Sequence, residues 1–187
     1  RLDVPGGTLQ GVSYCATCDG AFYKDKTVAV IGGGDTALGD AMYLSRMAKK
    51  VYLVHRRQEF RANQALQTAV QQNAAIELVL NAVPTAVLGE KRVDHLELLQ
   101  NGASKTLSVD GVFVAIGSIP NTDFLGNLCK LDESGYILAD ETGVTTTPGV
   151  FAAGDVRTTP LRQVVTAVAD GANCVQSIEQ YFRKGNG

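Results

Sequence analysis

The chain has no tryptophan, two histidines, five prolines and four cysteines in 187 residues, and these scarcities narrow its function before any motif is read. Lysine and arginine total 17 against 19 acidic residues, so no positive excess exists to track a nucleic-acid backbone or an anionic membrane. No apolar run approaches the roughly 20 residues of a membrane span, and the opening stretch, Arg1-Leu2-Asp3-Val4-Pro5, lacks the apolar core of a signal peptide. The expectation is a cytoplasmic protein with neither a membrane nor a nucleic acid as partner. Four cysteines in such a chain argue against a structural disulfide framework. The remaining composition, 45% apolar and 19% charged, suits an ordinary folded core.

Two of the cysteines form Cys15-Ala16-Thr17-Cys18. A two-residue spacer brings two sulfurs within bonding reach, and such motifs supply a reactive thiolate. A zinc site needs two further ligands. Cys129 and Cys174 stand singly and His55 and His95 have no ligand spacing, so a redox pair is expected and no metal. Asp19 directly follows; it suits a proton donor for a departing thiolate and equally the start of an Asp-Gly turn with Gly20.

The strand read at 27–31 runs into Gly32-Gly33-Gly34-Asp35-Thr36-Ala37, a G-x-G-x-x-A turn opening a helix. Gly32 permits the tight turn, Gly34 lets backbone amides approach a pyrophosphate, and Ala37 lets helix and strand lie close. At the end of the next strand, 50–54, an NAD site would carry an acid. The sequence has His55-Arg56-Arg57, with Arg61 beyond, and guanidiniums pair with a 2′-phosphate, so NADPH is expected. Further on, 63–72 reads as a helix, 76–80 as a strand, and 85–88, 92–99 and 104–109 as an antiparallel insert turning at Gly89-Glu90 and Asn101-Gly102. A buried strand at 111–117 follows, then a strand at 150–153 ending in Gly154-Asp155. A helix closes the chain, with Val164, Val168, Ala172, Val175, Ile178 and Phe182 on one face. The fold class is α/β: a Rossmann-like domain with a parallel sheet and an antiparallel hairpin insert, plus part of a second α/β domain. The expected divisions are a linker at 1–10, an NADPH-binding domain with the dithiol at 11–114, and the C-terminal part of a FAD-binding domain at 115–187.

Taken together, Cys15 to Asp19, Gly32 to Ala37, His55-Arg56-Arg57, Phe60-Arg61-Ala62, Ala115-Ile116-Gly117, Phe151 to Asp155 and Arg162-Gln163-Val164 resemble low-molecular-weight bacterial thioredoxin reductases. The resemblance implies FAD and NADPH as cofactors, thioredoxin or a thioredoxin-like protein as partner, and a homodimer. Cys18 would adjoin the flavin, Cys15 would attack the partner's disulfide, and Asp19 would donate the proton. Gly32, Gly34, Asp35, Thr36 and Ala37 would form the pyrophosphate turn, with His55, Arg56, Arg57 and Arg61 around the 2′-phosphate and Ile116 and Gly117 nearby. Gly154 and Asp155 would hold the flavin's ribityl chain, and Arg162, Gln163 and Val164 its ring. The family begins with a FAD-binding segment on the order of 100 residues with its own glycine turn, and this chain supplies only one such turn. The expectation is therefore a C-terminal part, inactive alone. A peroxiredoxin-reductase flavoprotein and an isolated NADPH-binding module are the alternatives.

Overall fold

The computed structural model describes residues 2–185. Arg1, Asn186 and Gly187, the outermost residues of the expected linker and C-terminal part, lie outside the described residues. The chain divides into two compact units, Arg1–Gly117 and Ser118–Gly187, so Ala115, Ile116 and Gly117 stay with the first.

In the first unit, β1 (Val12–Ser13), β2 (Thr27–Ile31), β3 (Lys50–Val54), β4 (Ile76–Val79) and β8 (Gly111–Val114) form a parallel sheet in the order β1-β8-β2-β3-β4. Helices α1 (Ala16–Asp19), α2 (Asp35–Leu44) and α3 (Gln64–Gln72) connect its strands. Between β4 and β8, β5 (Ala82–Leu88), β6 (His95–Gln100) and β7 (Ala103–Ser108) make a separate antiparallel sheet. Alternation along β2 explains the layering. Val28 and Val30 face α2 through Leu38, Ala41 and Leu44, while Ala29 and Ile31 join Leu96, Leu98 and Leu107 of the antiparallel sheet. A central strand buried on both faces has to be apolar along its buried length, and this one is from Val28 to Ile31.

Local chemistry sets the details. Asn101 and Gly102 both take positive φ, the two-residue turn expected between β6 and β7. β5 starts before the expected residue 85 and runs through Pro84; it is an edge strand, where a missing N–H is tolerated, and its register shifts beside that proline. The stretch expected as a linker is packed. Leu2 is buried among Val4, Leu9 and Val87, and the Pro5 carbonyl accepts a hydrogen bond from Val87 N–H at 2.8 Å.

In the second unit the sequence expectation needs one correction. Residues 150–153 form no ladder: Phe151 makes a single bridge to Val144, because apolar composition does not supply the hydrogen-bonded neighbour that defines a strand. The closing helix, α4 (Val164–Arg183), carries the apolar face read from the sequence, and that face lies outward, with Val164, Val168, Val175 and Phe182 all more than 60% exposed. Its inward stripe is Asp170, Asn173, Cys174 and Ser177, which bond to Arg157, to Gly154 N–H and to the carbonyls of Glu141, Ala152 and Thr142. No helix among the described residues is long and apolar enough to cross a membrane.

Candidate functional site

The glycine turn lies where β2 hands over to α2. Gly32 has φ +153°, and a Cβ there would sit 2.3 Å from the Ala115 carbonyl oxygen and 2.6 Å from Ala37 Cβ, so turn and helix touch only because both residues are small. Gly34 precedes α2 with nothing within 4 Å of its virtual Cβ and no side chain capping the helix. The first-turn N–H groups of α2 therefore lack the side-chain acceptor that Asn63 gives α3, and an anion would satisfy them.

A crevice of about 520 Å³ opens over this turn at the carboxyl ends of the strands, lined by Gly32, Gly33, Gly34, Thr36, His55, Arg56, Arg61, Ile116 and Gly117 among others. A hollow of about 510 Å³ at the opposite ends, against Thr27 and Asp110, is as large but has no glycine turn. Position and chemistry, not volume, single out the first. The basic loop is tied to the turn by Arg61 N–H donating to the Gly33 carbonyl at 2.8 Å. Arg56, Arg57 and Arg61 are exposed and form no ion pair among the described residues; Arg57 lies on the same loop but does not line the crevice.

Two predicted residues are placed differently. Asp35 turns away from the crevice and accepts from the backbone and side-chain N–H of Asn63 at 2.8 and 2.9 Å, which fastens α2 to α3 and keeps a carboxylate off an anion's path. His55 is 6% exposed, stacks on Phe60 at 5.3 Å and has Nε2 3.2 Å from the Glu59 carbonyl. Burial pushes its pKa below the ordinary value, and Arg56, Arg57 and Arg61 push the same way against the Glu59 carbonyl, so the ring is neutral at pH 7. Its ring packs on the middle glycine. A Cβ on Gly33 would lie 2.2 Å from His55 Cε1, a constraint the G-x-G pattern leaves open at that position.

Just after β1, which lies at the opposite edge of the sheet from β4, Cys15 and Cys18 are joined by a disulfide across the first turn of α1, with Cα atoms 5.3 Å apart. Cys15 caps α1: its sulfur accepts from Cys18 N–H at 3.2 Å. Asp19 closes the helical turn, and its carboxylate accepts from Ser13 Oγ at 2.7 Å. Ser13 also accepts from Cys15 N–H at 3.1 Å, so one buried hydroxyl ties acid and dithiol loop together. Sequence reasoning missed Ser13; its only signal is a polar residue on a two-residue strand directly before the motif. Among the described residues no group of three His, Cys, Asp or Glu is placed to hold a metal.

The second unit gathers the other predicted residues around one turn. Gly154, at φ +78°, begins a 3-10 turn (Gly154–Val156), and Asp155 stands exposed on it. Arg162 Nε donates to the Asp155 carbonyl at 3.3 Å while its guanidinium lies 3.9 Å from the Tyr136 ring centroid. Gln163 begins α4 in a reciprocal cap with Thr166, and Val164 beside it is 82% exposed.

Residues 1–171 match the family described as pyridine nucleotide-disulphide oxidoreductase. The chain belongs to that family. It is 43% identical over 178 residues to the thioredoxin reductase of Listeria monocytogenes, covering 94% of this chain and 56% of that protein. It is 42% identical to the one from Chlamydia pneumoniae, covering 96% and 60%. The crystal structure of thioredoxin reductase from Streptococcus pyogenes superposes with a TM-score of 0.92 at 38% identity, over 98% of this chain and 62% of that one. The chain thus spans a little over half the length of these relatives. The chain's first unit contains a glycine-lined crevice and a disulfide.

Proposed function

We propose that this chain carries the NADPH site and the redox dithiol of an NADPH-dependent flavoprotein disulfide reductase, a cytoplasmic homodimer whose substrate is the disulfide of thioredoxin or a thioredoxin-like protein. The observation that carries this reading is the Cys15–Cys18 disulfide in the same unit as a glycine-lined crevice whose basic loop carries three arginines that form no ion pair among the described residues. When bound, NADPH supplies a hydride and FAD relays its two electrons to a disulfide.

The chain's own residues do the rest. Gly32, Gly34 and Thr36 shape the floor on which a pyrophosphate meets the open N–H groups of α2, and Arg56, Arg57 and Arg61 offer charge-assisted hydrogen bonds to a 2′-phosphate. Ile116 and Gly117 form the adjoining wall. Gly154 and Asp155 would hold the flavin's ribityl hydroxyls, and Arg162, Gln163 and Val164 would adjoin its ring; the unpartnered carboxylate of Asp155 suits that role. Reduction with two electrons and two protons opens the Cys15–Cys18 bond. Asp19 takes the proton of Cys15, the Cys15 thiolate attacks one sulfur of the target disulfide, the other target sulfur leaves and takes that proton from Asp19, and Cys18 attacks Cys15 Sγ as its own proton passes to the second target sulfur. That step restores the internal disulfide and releases the target as a dithiol. Cys18 N–H, which donates to Cys15 Sγ, supports negative charge on that sulfur.

The test uses the full-length flavoprotein. Cys15→Ser and Cys18→Ser should each abolish NADPH-dependent reduction of thioredoxin, yet flavin bleaching by NADPH should survive in both. Retained thioredoxin reduction in either variant overturns the assignment. The chain by itself is expected to turn over no thioredoxin.

A further inference from the structure

Among the described residues one ion pair is buried from solvent, and neither predicted site includes it. Asp170, inside α4, is 5% exposed; Arg157, directly after the Gly154–Val156 turn, is 6% exposed. Asp170 Oδ2 accepts from Arg157 Nε at 2.6 Å and from Gly154 N–H at 3.0 Å, while Oδ1 accepts from Arg157 Nη2 at 2.5 Å. Arg157 Nη1 donates to the carbonyls of Thr158 at 2.7 Å and Ala139 at 3.4 Å. The Arg157 hydrogen bonds hold the Asp170 carboxyl below the usual carboxylate range, so the pair is charged at neutral pH. Removing two charges from water is costly, and apolar side chains of similar volume often serve stability as well or better. Something other than stability has to account for the pair.

Its geometry supplies the reason. Asp170 grips the turn at both ends, through the amide of residue 154 and the side chain of residue 157. Between the grips stands Asp155, exposed, with no partner for its carboxylate among the described residues. Within itself the turn is closed by Arg157 N–H to the Gly154 carbonyl at 3.3 Å, with Gly154 at positive φ; from outside, Arg162 Nε donates to the Asp155 carbonyl at 3.3 Å and Ile137 N–H to the Val156 carbonyl at 3.0 Å, so Asp170 is what holds the Gly154 end. We propose that Asp170 and Arg157 are positioning residues that clamp this turn from α4, so that Asp155 meets the ligand's hydroxyls preorganised. The inference rests on the reading of Asp155 as a ribityl contact. It adds a second layer of residues, held in the core of the unit, that touch no ligand themselves.

The experiment is done on the full-length protein stripped of FAD. Arg157→Met combined with Asp170→Leu keeps the volume but removes the acceptor of Gly154 N–H. Arg157→Lys keeps charge and loses the fork, and serves if the double variant fails to fold. Three quantities are read: melting temperature, hydrogen exchange at the Gly154 amide, and FAD affinity by fluorescence quenching. For the double variant the expectation is a melting temperature within a few degrees of the parent, exchange at Gly154 at least about tenfold faster, and FAD affinity at least about tenfold weaker. Arg157→Lys should move the last two in the same direction and less. Asp155→Ala should weaken FAD binding with exchange at Gly154 unchanged. If the clamp variants leave both exchange and affinity as in the parent, the proposal is overturned. If Asp155→Ala leaves affinity unchanged, the ribityl reading fails instead, and exchange alone judges the clamp: faster exchange keeps it and unchanged exchange overturns it.

Discussion

Residues 1–117 enclose two apolar clusters on either side of one sheet, around Val30, Leu53 and Phe113 on the helix side and Ile31, Leu96 and Val112 on the other. Residues 118–187 enclose Cys129, Ile137, Ala139 and Ala152, and beside them an ion pair and a row of helix-to-loop hydrogen bonds. The first unit has its geometry set by packing, which is dense and tolerant of little change. The second has it set by directional polar contacts, and it leaves the apolar face of α4 in the open. A nucleotide crevice that must hold its shape when empty belongs on the first kind of scaffold.

The contrast can be broken most sharply by paired truncations. Phe113→Ala, at a side chain 1% exposed, should destabilise the first unit by about 3 to 5 kcal/mol in thermal melts. Val168→Ala, at a side chain 67% exposed, should change the second by no more than about 0.5 kcal/mol. A large cost at Val168 in the full-length protein would mean that its face is covered there.

Acids sharpen the same contrast. Burial without a partner raises Asp40 on α2 from 3.8 to about 6, so the folded state holds a proton that the unfolded chain has lost. Stability from this group is full below pH 3.8 and is lost as pH rises through about 6. Asp170 is shifted the other way by Arg157, so its contribution is present above pH 3.8 and is lost as pH falls through its lower folded value. Asp40→Asn should therefore stabilise the first unit at pH 7.5 by about 1 to 2 kcal/mol, discounted for partial exposure, and by nothing near pH 3.5. Chemical denaturation at the two pH values reads the difference. A modest gain is expected at Gly39, inside α2 with open space where a Cβ would go: Gly39→Ala should add about 1 kcal/mol.

Legibility followed the same division. Short apolar runs placed β2 and β3, because in the first unit burial decides the structure. Glycine spacing and the arginines at 56, 57 and 61 located the crevice for the same reason, since close approach demands small residues and an exposed loop keeps its charge. What sequence missed is polar. The inward stripe of α4 from Asp170 through Ser177 is invisible to a search for hydrophobic periodicity, which finds only the apolar face of the outward valines. Ser13 was missed and the Asn63 contact of Asp35 was not foreseen, because a hydrogen-bond partner elsewhere in the chain sets each placement, Asp19 for the first and Asn63 for the second. The constraint on Gly33 comes from a histidine ring on another strand end, which no local pattern encodes.

The most direct measurement is the affinity of the Arg56→Ala/Arg57→Ala variant for NADPH and for NADH, each titrated against the parent by calorimetry. If the open guanidiniums read a 2′-phosphate, NADPH binding should weaken by about 1 to 3 kcal/mol for each guanidinium–phosphate hydrogen bond removed, while NADH binding hardly changes. Equal losses for the two nucleotides would contradict the assignment of the crevice to NADPH.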